Sequence, residues 1–153
     1  MKYICNTILI FILITSVVYS EVKKQSQIEK TPVSTTILNK KFYSKIIKTP
    51  HIRRDVYLDK ILNSIIQGRG YVESVDNLER YQRKYRIIIT DSESMSLKIK
   101  LFIFTDNEEY HKILKKGDLF EFHGQFVIYT PISSDRNSYI LDVILKEGDI
   151  VVK

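Results

Sequence analysis

Residues 97–129, LKIKLFIFTDNEEYHKILKKGDLFEFHGQFVIY, constrain the fold of this chain more than any other stretch. Residues 97–104 alternate without a break. Leu97, Ile99, Leu101 and Ile103 fall on one side, and Lys98, Lys100, Phe102 and Phe104 on the other. A period of two over eight residues predicts a strand with one apolar face and one face of mixed lysine and phenylalanine. Asp106 or Asn107 can then cap a short helix, with Glu108 and Glu109 in its positive first turn and Lys112, Lys115 and Lys116 towards its negative end. Gly117 supplies the helix stop. Residues 119–129 are extended again, with Gly124 at the middle, where a strand must bend or bulge.

The flanking segments complete a sheet around this unit. Residues 55–67, DVYLDKILNSIIQ, carry a helical stripe of Tyr57 or Leu58, Ile61, Leu62, Ile65 and Ile66, with Asp55 as cap and Gly68 as stop. Residues 71–75 read as a first strand, 76–79 as a turn and 80–91 as a second strand. The run Ile87-Ile88-Ile89 at its centre suggests burial on both sides, or a twist that changes which side faces in. Asp91-Ser92-Glu93-Ser94 is a polar turn, 130–138 a loop, 139–145 a fifth strand, and 150–152 a short terminal strand. The order is helix, three strands, helix, two strands. The expected fold is therefore mainly β: a five-stranded Greek-key OB-fold barrel with a helix between its third and fourth strands and an additional N-terminal helix.

Three pieces carry a family likeness: Gly70-Tyr71-Val72-Glu73-Ser74-Val75, the strand pair at 85–91 and 97–104, and residues 114–126, LKKGDLFEFHGQF. Together they resemble the bacterial OB-fold domains related to the tRNA-anticodon-binding type. In that family the helix passes to the fourth strand through Gly-Asp, here Gly117-Asp118, and a glycine, here Gly124, bends that strand where the barrel closes. The resemblance covers roughly residues 68–150. It implies the fold and leaves the ligand open, because the same pattern serves binders of nucleic acid, sugar and protein.

The first 54 residues differ from the rest. Residues 1–20 combine Lys2, an apolar run over 8–18 and Val18-Tyr19-Ser20, the pattern of a signal peptide cut after Ser20. An uncleaved N-terminal anchor is the alternative. Cys5 is the only cysteine, so removal of the leader leaves a chain without thiol chemistry or disulfides. Residues 21–54 read as a basic linker, with nine Lys or Arg against Glu21 and Glu29. Residues 55–153 hold 14 Lys or Arg against 16 Asp or Glu, so the basic character of the chain belongs to the linker. The linker could hold the protein near anionic lipid or nucleic acid, or simply be a solvated segment. Within it, Ile37-Leu38 and residues 42–47 are apolar enough for a short helix or an arm lying on the domain.

The resemblance implies ligand binding across the second and third strands, bounded by the loops that follow the first and fourth. Candidate ligand-binding residues there are Arg86, Lys98, Lys100, Phe102 and Phe104, with Arg136 from the last of those loops and Tyr81, Arg83 and Lys84 beside them. Lysine interleaved with phenylalanine offers phosphate attraction next to a stacking platform. Against this, both phenylalanines could pack under the chain's own helix, leaving ordinary solvent-facing lysines. His51, His111 and His123 lack metal-ligand spacing, and no Gly-rich phosphate loop or GxSxG elbow occurs. No catalytic residue, metal or cofactor is expected. The reading is an exported, non-catalytic binding module of the periplasm or cell envelope. Its partner would be an envelope protein or an anionic or glycan surface, with peripheral membrane contact through the basic linker. The alternatives are a single-stranded nucleic-acid binder using Lys98, Lys100, Phe102 and Phe104, or an enzyme of unknown type.

Overall fold

The alternating stretch becomes the inner staves of a barrel. A computed structural model describes residues 34–91 and 97–146. In chain order these form β1 (Thr35–Ile37), α1 (Lys40–Lys48), α2 (His51–Asp59), β2 (Ile65–Arg80), β3 (Arg83–Asp91), β4 (Lys98–Thr105), α3 (Glu108–Ile113), β5 (Leu119–Pro131) and β6 (Ser138–Leu145). The strands bond in the order β2-β3-β4-β6-β5, and β5 returns to β2 to close the ring. Only β4 and β6 run parallel within the ring. β1 adds to β2 from outside, with Thr35 opposite Ile65. This is the mainly β, OB-like barrel expected from the sequence, with α3 between β4 and β5.

Side-chain alternation fills the interior. Ile99, Leu101 and Ile103 of β4 are buried together with Leu141 and Val143 of β6 and Phe120, Phe122 and Phe126 of β5. The isoleucine run is resolved the same way: Ile87 and Ile89 point inward and are fully buried, whereas Ile88 lies half-buried on the outer face opposite Phe102. Asn107 caps α3, its side chain accepting from the Glu109 amide at 2.9 Å. Asp106 instead accepts from the Lys84 amide at 3.1 Å. α3 ends at Ile113, so Gly117 lies beyond the helix in the turn, at φ 95°, where its amide donates to the Val72 carbonyl at 2.8 Å.

Three further boundaries differ from the sequence reading. The helix expected over 55–67 instead spans α2, beginning at His51 and ending at Asp59. Ile65 and Ile66 satisfy a helical stripe equally well, but they find ladder partners in Gln125 and Gly124. Two adjacent β-branched residues with partners on both flanks gain more from the sheet. Asn63, at φ 62°, makes the break, and its amide donates to the Phe126 carbonyl at 2.8 Å. Second, residues 76–79 are paired strand, with Asp76 opposite Arg86. The turn falls at Tyr81-Gln82, both at positive φ. Third, the end of the basic stretch is not a linker. Phe42, Tyr43 and Ile46 lie on one face of α1 and are buried in the core, while its lysines face outward. Arg54 is 4% exposed. Its guanidinium donates to the carbonyls of Ile47, Thr49 and Arg136 at 2.9–3.1 Å and to the Asn137 side chain at 2.6 Å. The expected leader, its cleavage point, the polar turn after Asp91 and the terminal strand lie outside the described residues.

Gly124 sits where β5 crosses β6. A Cβ there would meet the Ile144 carbonyl oxygen at 2.5 Å and Val143 Cγ1 at 2.6 Å. At Gly117 a Cβ meets nothing within 4 Å, and only the positive φ opposes it. Gly124→Ala is therefore expected to lose about 2–3 kcal/mol by overpacking against backbone. Gly117→Ala should lose about 1 kcal/mol through left-handed strain. Urea unfolding checks both, and equal losses would contradict the crossing as the tighter constraint.

Candidate functional site

The outer face of the barrel opposite the core is built from even-numbered residues of β3 and β4. Register places Thr90, Lys100 and Ile140 in one row, Ile88, Phe102 and Asp142 in the next, and Arg86, Phe104 and Ile144 in the third. Alternation thus brings Arg86, Lys98, Lys100, Phe102 and Phe104 onto one surface, as the sequence implies. The structure gives them unequal roles.

Phe104 is fully buried. The Tyr81 ring covers it edge-on, 5.1 Å between centroids at 84°. Tyr81 is held down by its hydroxyl, which donates to Asp142 Oδ2 at 2.8 Å, and Arg80 Nη1 reaches the same oxygen at 3.0 Å. Asp142 is 2% exposed. A carboxylate this buried on an outer face needs such partners to offset desolvation. Phe102 is half-buried, and the Arg86 guanidinium carbon stands 4.6 Å from its ring centroid. Arg86 Nη2 also pairs with Asp76 at 2.7 Å, which fixes the guanidinium over the ring.

Lys98 and Lys100 line a cleft of about 310 Å³ together with Glu73, Thr90, Ile132 and Ser138. Lys100 Nζ lies 2.7 Å from Glu73 Oε2. That bond, then the Thr90 hydroxyl, holds the Glu73 carboxyl below its usual range. Lys98 is exposed, and no carboxylate among the described residues pairs with it. Arg136, expected to border this face, turns away: its Nε pairs with Asp55 of α2 at 2.8 Å. Arg83 pairs with Asp106. Four cations of the face, Arg80, Arg83, Arg86 and Lys100, thus carry carboxylate partners. The partly exposed pairs of Arg83, Arg86 and Lys100 contribute about 0–1 kcal/mol each, so an incoming anion can replace those partners at little cost, whereas the buried Asp142 needs Arg80. Among the described residues no cluster of His, Cys, Asp and Glu could hold a metal ion.

No sequence signal points to the Tyr81 cover. A bulky residue at positive φ in a two-residue turn without Gly or Asn is not read as a hairpin tip. Nor does the sequence show Glu73 and Asp76 as partners, because a register shift between Val72 and Ser74 decides which β2 side chains reach this face.

Fold and site together define an OB-like barrel with a cationic, partly aromatic outer face. No family model matches the chain, and no curated protein matches it. Solved structures that match in part include an asparaginyl-tRNA synthetase from Entamoeba histolytica, at 16% identity and TM-score 0.38, over 60% of this chain and 21% of that one. A candidate nucleic acid-binding lipoprotein from Klebsiella pneumoniae matches at 14% identity and TM-score 0.43, over 74% of this chain and 92% of that one. A candidate aspartyl-tRNA synthetase from Leishmania major matches at 8% identity and TM-score 0.39, over 84% of this chain and 25% of that one. The chain spans only about a fifth to a quarter of either synthetase. Likeness at this level carries no argument about the fold of this chain or what it binds.

The tyrosines around the face and its flanking loop set an alkaline limit on stability. Burial, and then the hydrogen bond to Asp142, pushes Tyr81 up to about 12. Burial, and then Asp59, does the same for Tyr129. Tyr139 is raised as well, by burial and then Asp55. Each pKa is higher folded than unfolded, where it is about 10. The stabilisation is therefore complete below pH 10 and is lost as pH rises towards 12. Thermal unfolding followed from pH 8 to 12 should show a constant melting temperature up to about 10 and a steep fall beyond it. In Tyr81→Phe the fall should be shallower, with about 1 kcal/mol lost at neutral pH.

Proposed function

We propose that this protein is a non-catalytic binding module that takes single-stranded nucleic acid across the outer face of β3 and β4. The observation that carries the reading is the open cleft holding Lys98 and Lys100 beside the Arg86–Phe102 stack. The Arg86 guanidinium over the Phe102 ring joins a cation to an aromatic surface, and bases stack on rings and guanidinium groups of this kind. The lysines stand two residues apart on one strand, about 6.6–6.8 Å along its axis, and can follow an extended phosphate backbone. An anionic glycan would use the same cations but would gain nothing from the stack, so the stack favours a base-bearing polymer.

Absence of catalysis is part of the proposal. The Tyr81–Asp142 pair is the kind of hydroxyl and carboxylate that a reaction could recruit, but the carboxylate is buried and bound by Arg80, and the phenol is held protonated. We further propose that the leader-like residues 1–20 deliver the chain out of the cytoplasm, into the periplasm or cell envelope. The composition of that stretch supports this.

Fluorescence anisotropy with a labelled single-stranded oligonucleotide tests the site. Lys98→Ala with Lys100→Ala is expected to weaken binding roughly tenfold and to flatten the salt dependence by about 1.4 in log–log slope, two phosphate contacts' worth. Arg86→Ala should cost a further roughly fivefold or more, consistent with lost stacking of about 1 kcal/mol or more. Unchanged affinity in the double variant would exclude this face. Equal binding of a sulfated glycan, insensitive to Arg86→Ala, would favour the glycan reading.

A further inference from the structure

The two N-terminal helices carry a second surface that the barrel does not use. α1 buries Phe42, Tyr43 and Ile46 and turns Lys40, Lys41 and Lys48 to solvent. α2 buries Arg54 and Leu58, so its opposite side presents Ile52, Val56, Arg53 and Lys60. Ile52 is 88% exposed and Val56, one turn on, 53%. Ile47, at the end of α1, is also exposed, and its carbonyl is bound by Arg54 of α2, which fixes the corner between the helices. Among the described residues none of these five cations has a carboxylate within ion-pair distance. Beside these cations, Ile52 is the most exposed large apolar side chain among the described residues.

We infer that the α1–α2 corner docks on an anionic phospholipid surface. A basic helical surface with protruding aliphatic side chains suits the boundary between headgroups and acyl chains, where the charges meet lipid phosphates and the apolar groups leave water. Nucleic acid fits less well. Ile47, Ile52 and Val56 have no ring on which a base could stack, and exposing them beside phosphates brings no gain. No residue of this corner lines the Lys98–Lys100 cleft, so different substitutions test the two assignments. Each basic residue near an anionic leaflet is expected to raise partitioning roughly fivefold.

The chain contains no tryptophan. In the full-length protein, Ile52→Trp therefore creates an emission signal from this corner alone, whatever residues 1–20 contribute to membrane binding. Vesicles containing phosphatidylglycerol should shift that emission to the blue, and lipids brominated on the acyl chains should quench it. Pure phosphatidylcholine should do neither, and about 0.5 M salt should reverse the effect, since charges are then screened within a few ångströms. Adding Lys40→Gln, Lys41→Gln and Lys48→Gln should lower the partition coefficient roughly hundredfold, while oligonucleotide binding at the cleft stays unchanged. An emission that does not move when the protein co-sediments with anionic vesicles would overturn the inference. So would a shift of equal size produced by single-stranded oligonucleotide without lipid.

Discussion

The seam between β2 and β5 is the constraint on which the other features depend. β2 runs for 16 residues and serves two neighbourhoods. Its first seven residues pair with β5, from Ile65 opposite Gln125 to Tyr71 opposite Leu119. From Gly70 onward it pairs with β3 on its other edge. One strand shared in this way turns an open meander into a ring. Closure requires backbones to approach where the strand is passed from one partner to the next. Gly124 allows the contact with Ile144, and at Gly68 a Cβ would come within 2.9 Å of the Phe122 ring. Without that seam the outer face would have no fixed curvature, and the loops at its ends would not converge.

The same seam explains what was legible in the sequence. The elements of residues 97–129 could be read because their signals are local: strict alternation, a capped helix, a glycine within a strand; only the helix stop was misplaced, at Gly117 instead of Ile113. Residues 61–66 could not. Ile61, Leu62, Ile65 and Ile66 satisfy a helical stripe, and Ile65-Ile66 satisfy a strand. The choice is made by Gly124 and Gln125, about sixty residues away in the chain. The basic stretch misled for a related reason. Its lysines set the composition, but Phe42, Tyr43 and Ile46, spaced one and three residues apart, set the packing. Arg54 looked like the last residue of a linker. It is the buried cation that ties the end of α1, the start of α2 and the β5–β6 loop together, with carbonyl dipoles from the end of α1 among its acceptors.

For the candidate site, alternation gave the face but not the exposure. Lys98, Lys100, Phe102 and Phe104 all project outward, yet the series runs from solvent to complete burial over seven residues. The gradient comes from elsewhere in the chain. The hairpin tip at Tyr81-Gln82 folds across Phe104, with Asp142 as its anchor, while Lys98 and Lys100 stand free of that cover at the opposite end of the strand. Charge counting was equally blind. The domain's 16 acidic residues include Glu73, Asp76, Asp106 and Asp142, each placed against a specific cation. A near-neutral total thus describes a paired surface, not an inert one.

The carboxylate partners of Arg80, Arg83, Arg86 and Lys100, and the lack of such partners on the helical cap, divide the electrostatics by range. A cation bound to a carboxylate at 2.7 Å is nearly a dipole when viewed from a Debye length away, about 8–10 Å at moderate salt. It acts only on an anion close enough to replace its partner. The cations of α1 and α2 have no such partner, so their field reaches into solution and falls off only with screening. Long-range attraction towards an anionic bilayer therefore comes from the cap, and contact with a base-bearing polymer from the β3–β4 face, where Lys98 also lacks a carboxylate partner among the described residues. Arg54 and the Asp55–Arg136 pair fix these two surfaces to a single frame. Whatever the cap approaches, the cleft meets in a set orientation, because both sides of the β5–β6 loop are already tied down.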